Sequence, residues 1–325
     1  MLGYSTNLIG LSALCASLGF LLLDRRRLRW LLKTTPPNPS SALLSEIKTV
    51  VFDCDGVLYR NASPVPGVRE ALTSLRKSSK RLIFVTNAAG QSRASLAKKL
   101  TKLGFEDVRP EDCITSAFAA AAYLTKHYPL VKRAYIVGGG GLFEELRLAG
   151  IECVGEADIG GLEWLVKSGG LNDDVDAVVV GMQTEDLCYA RLAKAAAYVR
   201  EDPSRPFIGA NPDNSYPGGL TTLIPAGGCL VRYVEYAAER PATAIVGKPS
   251  RDLALLVQQL YGLRPDTTLM VGDRCNTDIA FGHSVGWRTL LVLTGCHDLA
   301  DVNKAPYQEK PDFMASSVAD LAGCL

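Results

Sequence analysis

The sequence predicts an α/β protein built on a doubly wound parallel sheet, and three observations carry that expectation. Short runs rich in β-branched residues, bounded by turn residues, alternate with segments whose apolar positions recur at helical spacing. Those runs are apolar at consecutive positions, as strands covered on both faces are. Several of them end in polar residues able to do chemistry, at the strand ends where open α/β sheets bind ligands. The chain has 325 residues, 47% hydrophobic and 21% charged. That composition is ordinary for a globular protein, and the length suits two medium domains better than one core.

The first strand is Thr49-Val50-Val51-Phe52, and it runs into Asp53-Cys54-Asp55-Gly56. Positions i and i+2 of a strand share a face, so Asp53 and Asp55 point into the same crevice. Two like charges that close require a cation or a shared proton. Pro64-Val65-Pro66-Gly67 then punctuates, and Val68, Leu72 and Leu75 mark a helix. Leu82-Ile83-Phe84-Val85-Thr86-Asn87 is a second buried strand with a polar end. Ser92 suits a helix cap ahead of the stripe Leu96, Leu100 and Leu103. Cys113-Ile114-Thr115-Ser116 is a third strand, followed by an alanine-rich helix that Tyr128-Pro129 ends.

A second α/β layer follows. Its strands are Tyr135-Ile136-Val137, Ala177-Val178-Val179-Val180 and Phe207-Ile208-Gly209, the last opening into Ala210-Asn211-Pro212-Asp213. Gly138-Gly139-Gly140-Gly141 lacks the spaced glycines of a dinucleotide fingerprint, so it reads as a strand-to-helix loop. The first rhythm then resumes with Ala244-Ile245-Val246-Gly247-Lys248-Pro249, Thr268-Leu269-Met270-Val271-Gly272-Asp273 and Thr289-Leu290-Leu291-Val292-Leu293. Asn276-Thr277-Asp278 starts a helix, and Asp312-Phe313-Met314 suits an edge strand. Asp53 and Asp55, Thr86 and Asn87, Lys248, and Asp273 and Asp278 thus fall at the ends of strands expected to share one edge.

Several function classes are disfavoured. With 35 basic and 34 acidic residues the net charge is +1, which gives no footprint for nucleic acid. Nine cysteines without a C-x-x-C pair suit free thiols in a reducing compartment, and His127, His283 and His297 have no zinc-site spacing. Residues 1–23 carry no charge, and Arg25-Arg26-Arg27-Leu28-Arg29 follows Asp24. The order of charge and apolar run is wrong for a secretory signal. A membrane anchor leaving the rest of the chain on the cytosolic side, an organellar presequence and a mis-assigned start are the readings open. Thr34-Thr35-Pro36-Pro37-Asn38-Pro39-Ser40-Ser41 reads as a linker.

Carboxylates converging with a lysine make an oxygen-rich pocket suited to Mg²⁺, and the lysine with a hydroxyl-amide pair suits the oxygens of a phosphate. Asp53-x-Asp55-Gly56, Thr86-Asn87, Gly247-Lys248-Pro249 and Gly272-Asp273 with Asp278 resemble, in order, the four motifs of the haloacid dehalogenase superfamily of phosphatases. The resemblance covers about residue 46 to the end. It implies a Rossmann-like core with an inserted α/β cap of type 2, because 33 positions separate motifs one and two whereas 162 separate two and three. The domains expected are 1–41 (apolar segment and linker), 42–129 (core), 130–241 (cap) and 242–325 (core).

Gly209-Ala210-Asn211-Pro212-Asp213, Gly228-Cys229-Leu230-Val231-Arg232 and Pro311-Asp312-Phe313 are similar to the phosphoglycolate and 4-nitrophenyl phosphatase branch. By resemblance, Asp53 is the nucleophile and Asp55 the acid/base. Asp53, Asp55 through its carbonyl, and Asp273 hold Mg²⁺, with Asp278 orienting bound water. Thr86, Asn87, Ala88 and Lys248 lie at the phosphoryl group. The substrate implied is a small phosphate ester, and a homodimer through the cap is implied as well. Ala88 stands where many relatives have a second asparagine. The segment after Val180 lacks the histidine of pyridoxal phosphate phosphatases; that activity and a membrane-tethered, non-enzymatic binding module on the same fold are the alternatives.

Overall fold

The computed structural model describes residues 35–325 apart from 157, 159–160, 163–170, 172–173 and 218–221. The expected anchor or presequence at 1–23 lies outside the described residues. Among the described residues no helix is long and apolar enough to cross a membrane. Residues 35–40, expected as linker, lie against the body. The Met314 N–H donates to Pro37 O at 3.1 Å, and Ser40 caps the helix Ser41–Glu46.

β1 (Thr49–Phe52) is followed by a small antiparallel hairpin, β2 (Tyr59–Arg60) and β3 (Ser63–Pro64), which fills the short interval expected to hold only a flap. Next come β4 (Arg81–Thr86) and β5 (Cys113–Thr115), with the helix Arg93–Lys102 between them and Ser116–His127 after. The Ser92 hydroxyl accepts from Ser95 N–H and so caps the first of these helices. The second layer holds β6 (Arg133–Val137), β7 (Glu152–Val154), β8 (Ala177–Val180), β9 (Phe207–Gly209), the hairpin β10 (Ser215–Pro217) and β11 (Leu223–Pro225), and β12 (Ala244–Ile245). The chain closes with β13 (Thr268–Gly272), β14 (Arg288–Val292) and β15 (Phe313–Ala315).

Six strands form one parallel sheet in the order β15-β14-β13-β1-β4-β5. From β1 the chain winds outward to β4 and β5, then returns to build β13, β14 and β15 on the other side. A topological switch point therefore lies beside β1. Every residue of β1 is buried. Val50 and Phe52 pack into the apolar cluster on one face and Val51 into that on the other, which is why the strand reads as continuously apolar.

A second parallel sheet has the order β12-β9-β8-β6-β7. Ala244-Ile245, expected to rejoin the first sheet, pairs instead with Ile208-Gly209 of β9. The sequence pattern is the same in either sheet, so pairing could not be read from it. The layers are also less separate than two domains suggest. Ile83 and Val85 of the first sheet share one cluster with Ile136, Val179 and Ile208 of the second. Glu145, buried on the helix Gly140–Leu148, accepts from Arg93 N at 2.7 Å and ion-pairs with its guanidinium at 3.0 Å.

Candidate active site

In register, Phe52 lies between Val271 of β13 and Phe84 of β4. The residues that follow in these three strands emerge together at one sheet edge. Asp53 still donates its N–H to Val271 O at 2.9 Å, which fixes the backbone at the mouth of the crevice. Cys54 turns into the apolar cluster beneath the sheet, as alternation requires, and burial pushes its thiol pKa up.

Carboxylate oxygens of Asp53, Asp273 and Asp278 lie within 4.8 Å of one another, and all three residues are buried. Lys248 reaches into this group. Its ammonium donates to Asp53 Oδ1 at 2.5 Å and Val85 O at 3.0 Å, and lies 2.8 Å from Asp278 Oδ1. Burial works against the lysine's charge, but Asp278 and Asp53 outweigh it and hold the pKa above the ordinary lysine range. With all three carboxylates ionised, one ammonium would leave two negative charges uncompensated in a pocket nearly closed to water. Burial drives the Asp53 pKa well above the usual carboxylate range despite Lys248, with Asp278 and Asp273 adding to the rise. Burial, then Asp278, pushes Asp273 up to about 7. Hard oxygen donors that converge in this way fit a divalent cation such as Mg²⁺.

The backbone closes tightly round this cluster. Gly56, at φ +84°, approaches so closely that a Cβ would stand 2.5 Å from Asp273 Oδ2, and a Cβ on Gly295 would stand 1.9 Å from the same atom. That oxygen accepts from Cys296 N–H at 2.8 Å. Asp278 Oδ2 accepts from the N–H groups of Asp273 at 3.1 Å and Arg274 at 3.0 Å, so it ties the π-turn Cys275–Ile279 to the end of β13.

Thr86 is buried at the end of β4, and its hydroxyl accepts from Ala88 N–H at 3.2 Å. The side chain of Asn87, expected at the phosphoryl group, is engaged elsewhere. Its amide donates to Lys248 O at 3.0 Å and Asp213 Oδ1 at 3.2 Å, and its oxygen accepts from Lys248 N–H at 2.7 Å. The Asn87 carbonyl accepts from Ser116 Oγ and from Asn211 Nδ2 at 2.8 Å. Asn87 thus joins β4, the Lys248 turn and the segment after β9. Asp55 is exposed and is not one of the three clustered carboxylates; its Oδ2 accepts from the Tyr59 hydroxyl at 3.0 Å.

Tyr59, Asn211, Asp213 and Arg274 were not assigned to the site from sequence. Asn211 and Asp213 stood in a motif that had no role, because their partner Asn87 is 124 and 126 positions away. Arg274 donates to Ser215 O at 3.4 Å and links the end of β13 to the β10–β11 hairpin.

Comparison with known proteins places the chain in a family. Residues 50–152 match the family model for haloacid dehalogenase-like hydrolases, and residues 245–321 match a second, HAD-hydrolase-like model. Glycerol-3-phosphate phosphatase of Mus musculus is 40% identical over 301 residues, spanning 87% of this chain and 92% of the relative. The chain belongs to the haloacid dehalogenase-like hydrolases. Phosphoglycolate phosphatase 2 of Arabidopsis thaliana is 35% identical to this hydrolase over 286 residues, covering 86% of the chain and 94% of the relative. A solved glycerol phosphate phosphatase from Mycobacterium tuberculosis, in complex with magnesium, superposes with a TM-score of 0.73 at 28% identity, covering 87% of this chain and 78% of that one. The hydrolase therefore sits in the phosphatase branch whose members carry a type 2 cap.

Proposed function

We propose that this hydrolase is a Mg²⁺-dependent phosphomonoesterase that acts on small phosphorylated metabolites, of the glycerol phosphate or phosphoglycolate kind, through an aspartyl-phosphate on Asp53. The observation that carries the reading is the buried group of Asp53, Lys248, Asp273 and Asp278, whose converging carboxylate oxygens suit a divalent cation. Asp53 and Asp273, with the Asp55 carbonyl, would hold Mg²⁺, and Asp278 would support them by fixing the β13 turn. When bound, the cation neutralises the phosphoryl oxygens that would otherwise repel a carboxylate.

Asp53 attacks phosphorus, and the ester bond breaks as Asp55 gives its proton to the leaving oxygen. Asp55 then takes a proton from the water that releases phosphate. Thr86, the Asn87-Ala88 backbone and Lys248 hold the phosphoryl group, with Lys248 supplying positive charge beside the attacking oxygen. The glycerol-3-phosphate and phosphoglycolate phosphatases among the relatives favour a phospho-alcohol or phospho-acid over pyridoxal phosphate. A homodimer through the cap and a cytoplasmic catalytic body belong to the same reading.

The full chain should be assayed with glycerol 3-phosphate, phosphoglycolate, pyridoxal 5′-phosphate and 4-nitrophenyl phosphate. Turnover should stop with EDTA and return with added Mg²⁺. Turnover that survives complete chelation would overturn the metal assignment, and no turnover of any ester would overturn the substrate class.

A further inference from the structure

Asp55 is the exposed member of an otherwise buried site, so its carboxylate needs an anchor if it is to meet a leaving group at one place. The structure gives it one. Tyr59 is buried without residual exposure on β2, and its hydroxyl donates to Asp55 Oδ2 at 3.0 Å. The chain between them is held as well. Gly56 N–H donates to Tyr59 O at 2.8 Å, Tyr59 N–H donates to Cys54 O at 3.3 Å, and residues 55 and 59 form a β-bridge. Lys99, from the helix after β4, places its ammonium 4.0 Å from the centroid of the Tyr59 ring. A cation over a phenol face withdraws electron density and makes the hydroxyl a better donor.

We infer that Tyr59 is a positioning residue for the acid/base step. By occupying Oδ2 of Asp55 as a donor, it leaves Oδ1 to carry the transferable proton and to face the leaving oxygen. The proton on Oδ1 goes to the departing alkoxide as the P–O ester bond breaks and the Asp53–P bond forms. Tyr59 itself transfers nothing. This rests on the acid/base reading of Asp55.

A buried tyrosine hydroxyl satisfied by a convenient carboxylate would look the same in a static structure, so the test must separate orientation from packing. Proton donation matters most when the leaving group is a poor one. An alkoxide depends on it heavily, 4-nitrophenolate hardly at all. Since kcat/KM covers steps up to formation of the aspartyl-phosphate, the ratio of kcat/KM for glycerol 3-phosphate to that for 4-nitrophenyl phosphate reports the acid's contribution.

In Tyr59→Phe, which keeps the ring and the Lys99 contact, that ratio should fall roughly tenfold, a fraction of what general acid catalysis typically supplies. In an Asp55→Asn background the same substitution should lower the residual kcat/KM for glycerol 3-phosphate no further, because the group it acts through is gone. Equal losses on both substrates, an unchanged ratio, or additive losses in the double variant would each overturn the inference while leaving the phosphatase reading intact. Failure of the unaltered chain to hydrolyse either ester would instead overturn that reading.

Discussion

Asp53→Asn should lower kcat by about four orders of magnitude or more, the scale on which removal of a covalent nucleophile acts in other hydrolases. The substitution is nearly isosteric, and Lys248 keeps its 2.8 Å partner in Asp278 and its 3.0 Å bond to Val85 O. The fold should therefore survive, as far-UV circular dichroism alongside the assay would check. Substrate should still bind, since Thr86, Lys248 and the Asn87-Ala88 backbone are untouched, so the loss belongs in kcat rather than KM. A variant that keeps its kcat would remove Asp53 from the chemistry.

Lys248→Met should unfold the protein more readily as well as inactivate it. The ammonium is enclosed, with 2% of its side chain exposed, and it is the cation among three buried carboxylates. Truncating one partner of a buried charge group leaves the others uncompensated, which costs about 3–5 kcal/mol. Urea titration of the metal-free variant should show a lower midpoint than the unaltered chain. Added Mg²⁺ should recover part of the difference, because it supplies the positive charge that was removed. Equal midpoints in metal-free buffer would show that Lys248 is not balancing the carboxylates.

The strand ends were legible in the sequence because chemistry and periodicity coincide there. Asp53 follows Phe52, Thr86 closes β4 and Asp273 follows Gly272, and the structure brings these residues to one edge. The flap, the helix cap at Ser92 and the edge strand at Phe313 were legible for the same local reason. What sequence could not supply was pairing over distance. Ala244-Ile245 carries the pattern of a buried parallel strand, which suits either sheet, and only its register with β9 assigns it.

The role of Asn87 was hidden in the same way. A polar residue beside Thr86 suits a phosphate as well as it suits a brace, and its partners at Lys248 and Asp213 decide the matter through hydrogen bonds spanning 161 and 126 positions. Tyr59 carried no motif at all. It reads as one more apolar core residue until its hydroxyl is found against Asp55.

The most direct test of the central claim is a trap for the covalent intermediate. In Asp55→Asn, 4-nitrophenyl phosphate can still phosphorylate the enzyme, because its leaving group needs little help, whereas the step that requires a base is slowed. Acid quench of that variant after a brief exposure to substrate and Mg²⁺, followed by peptide mass spectrometry, should find a phosphoryl group on the peptide that contains Asp53. Asp53→Asn should show none. A phosphoryl group on another residue, or steady turnover with Asp53 never modified, would contradict it.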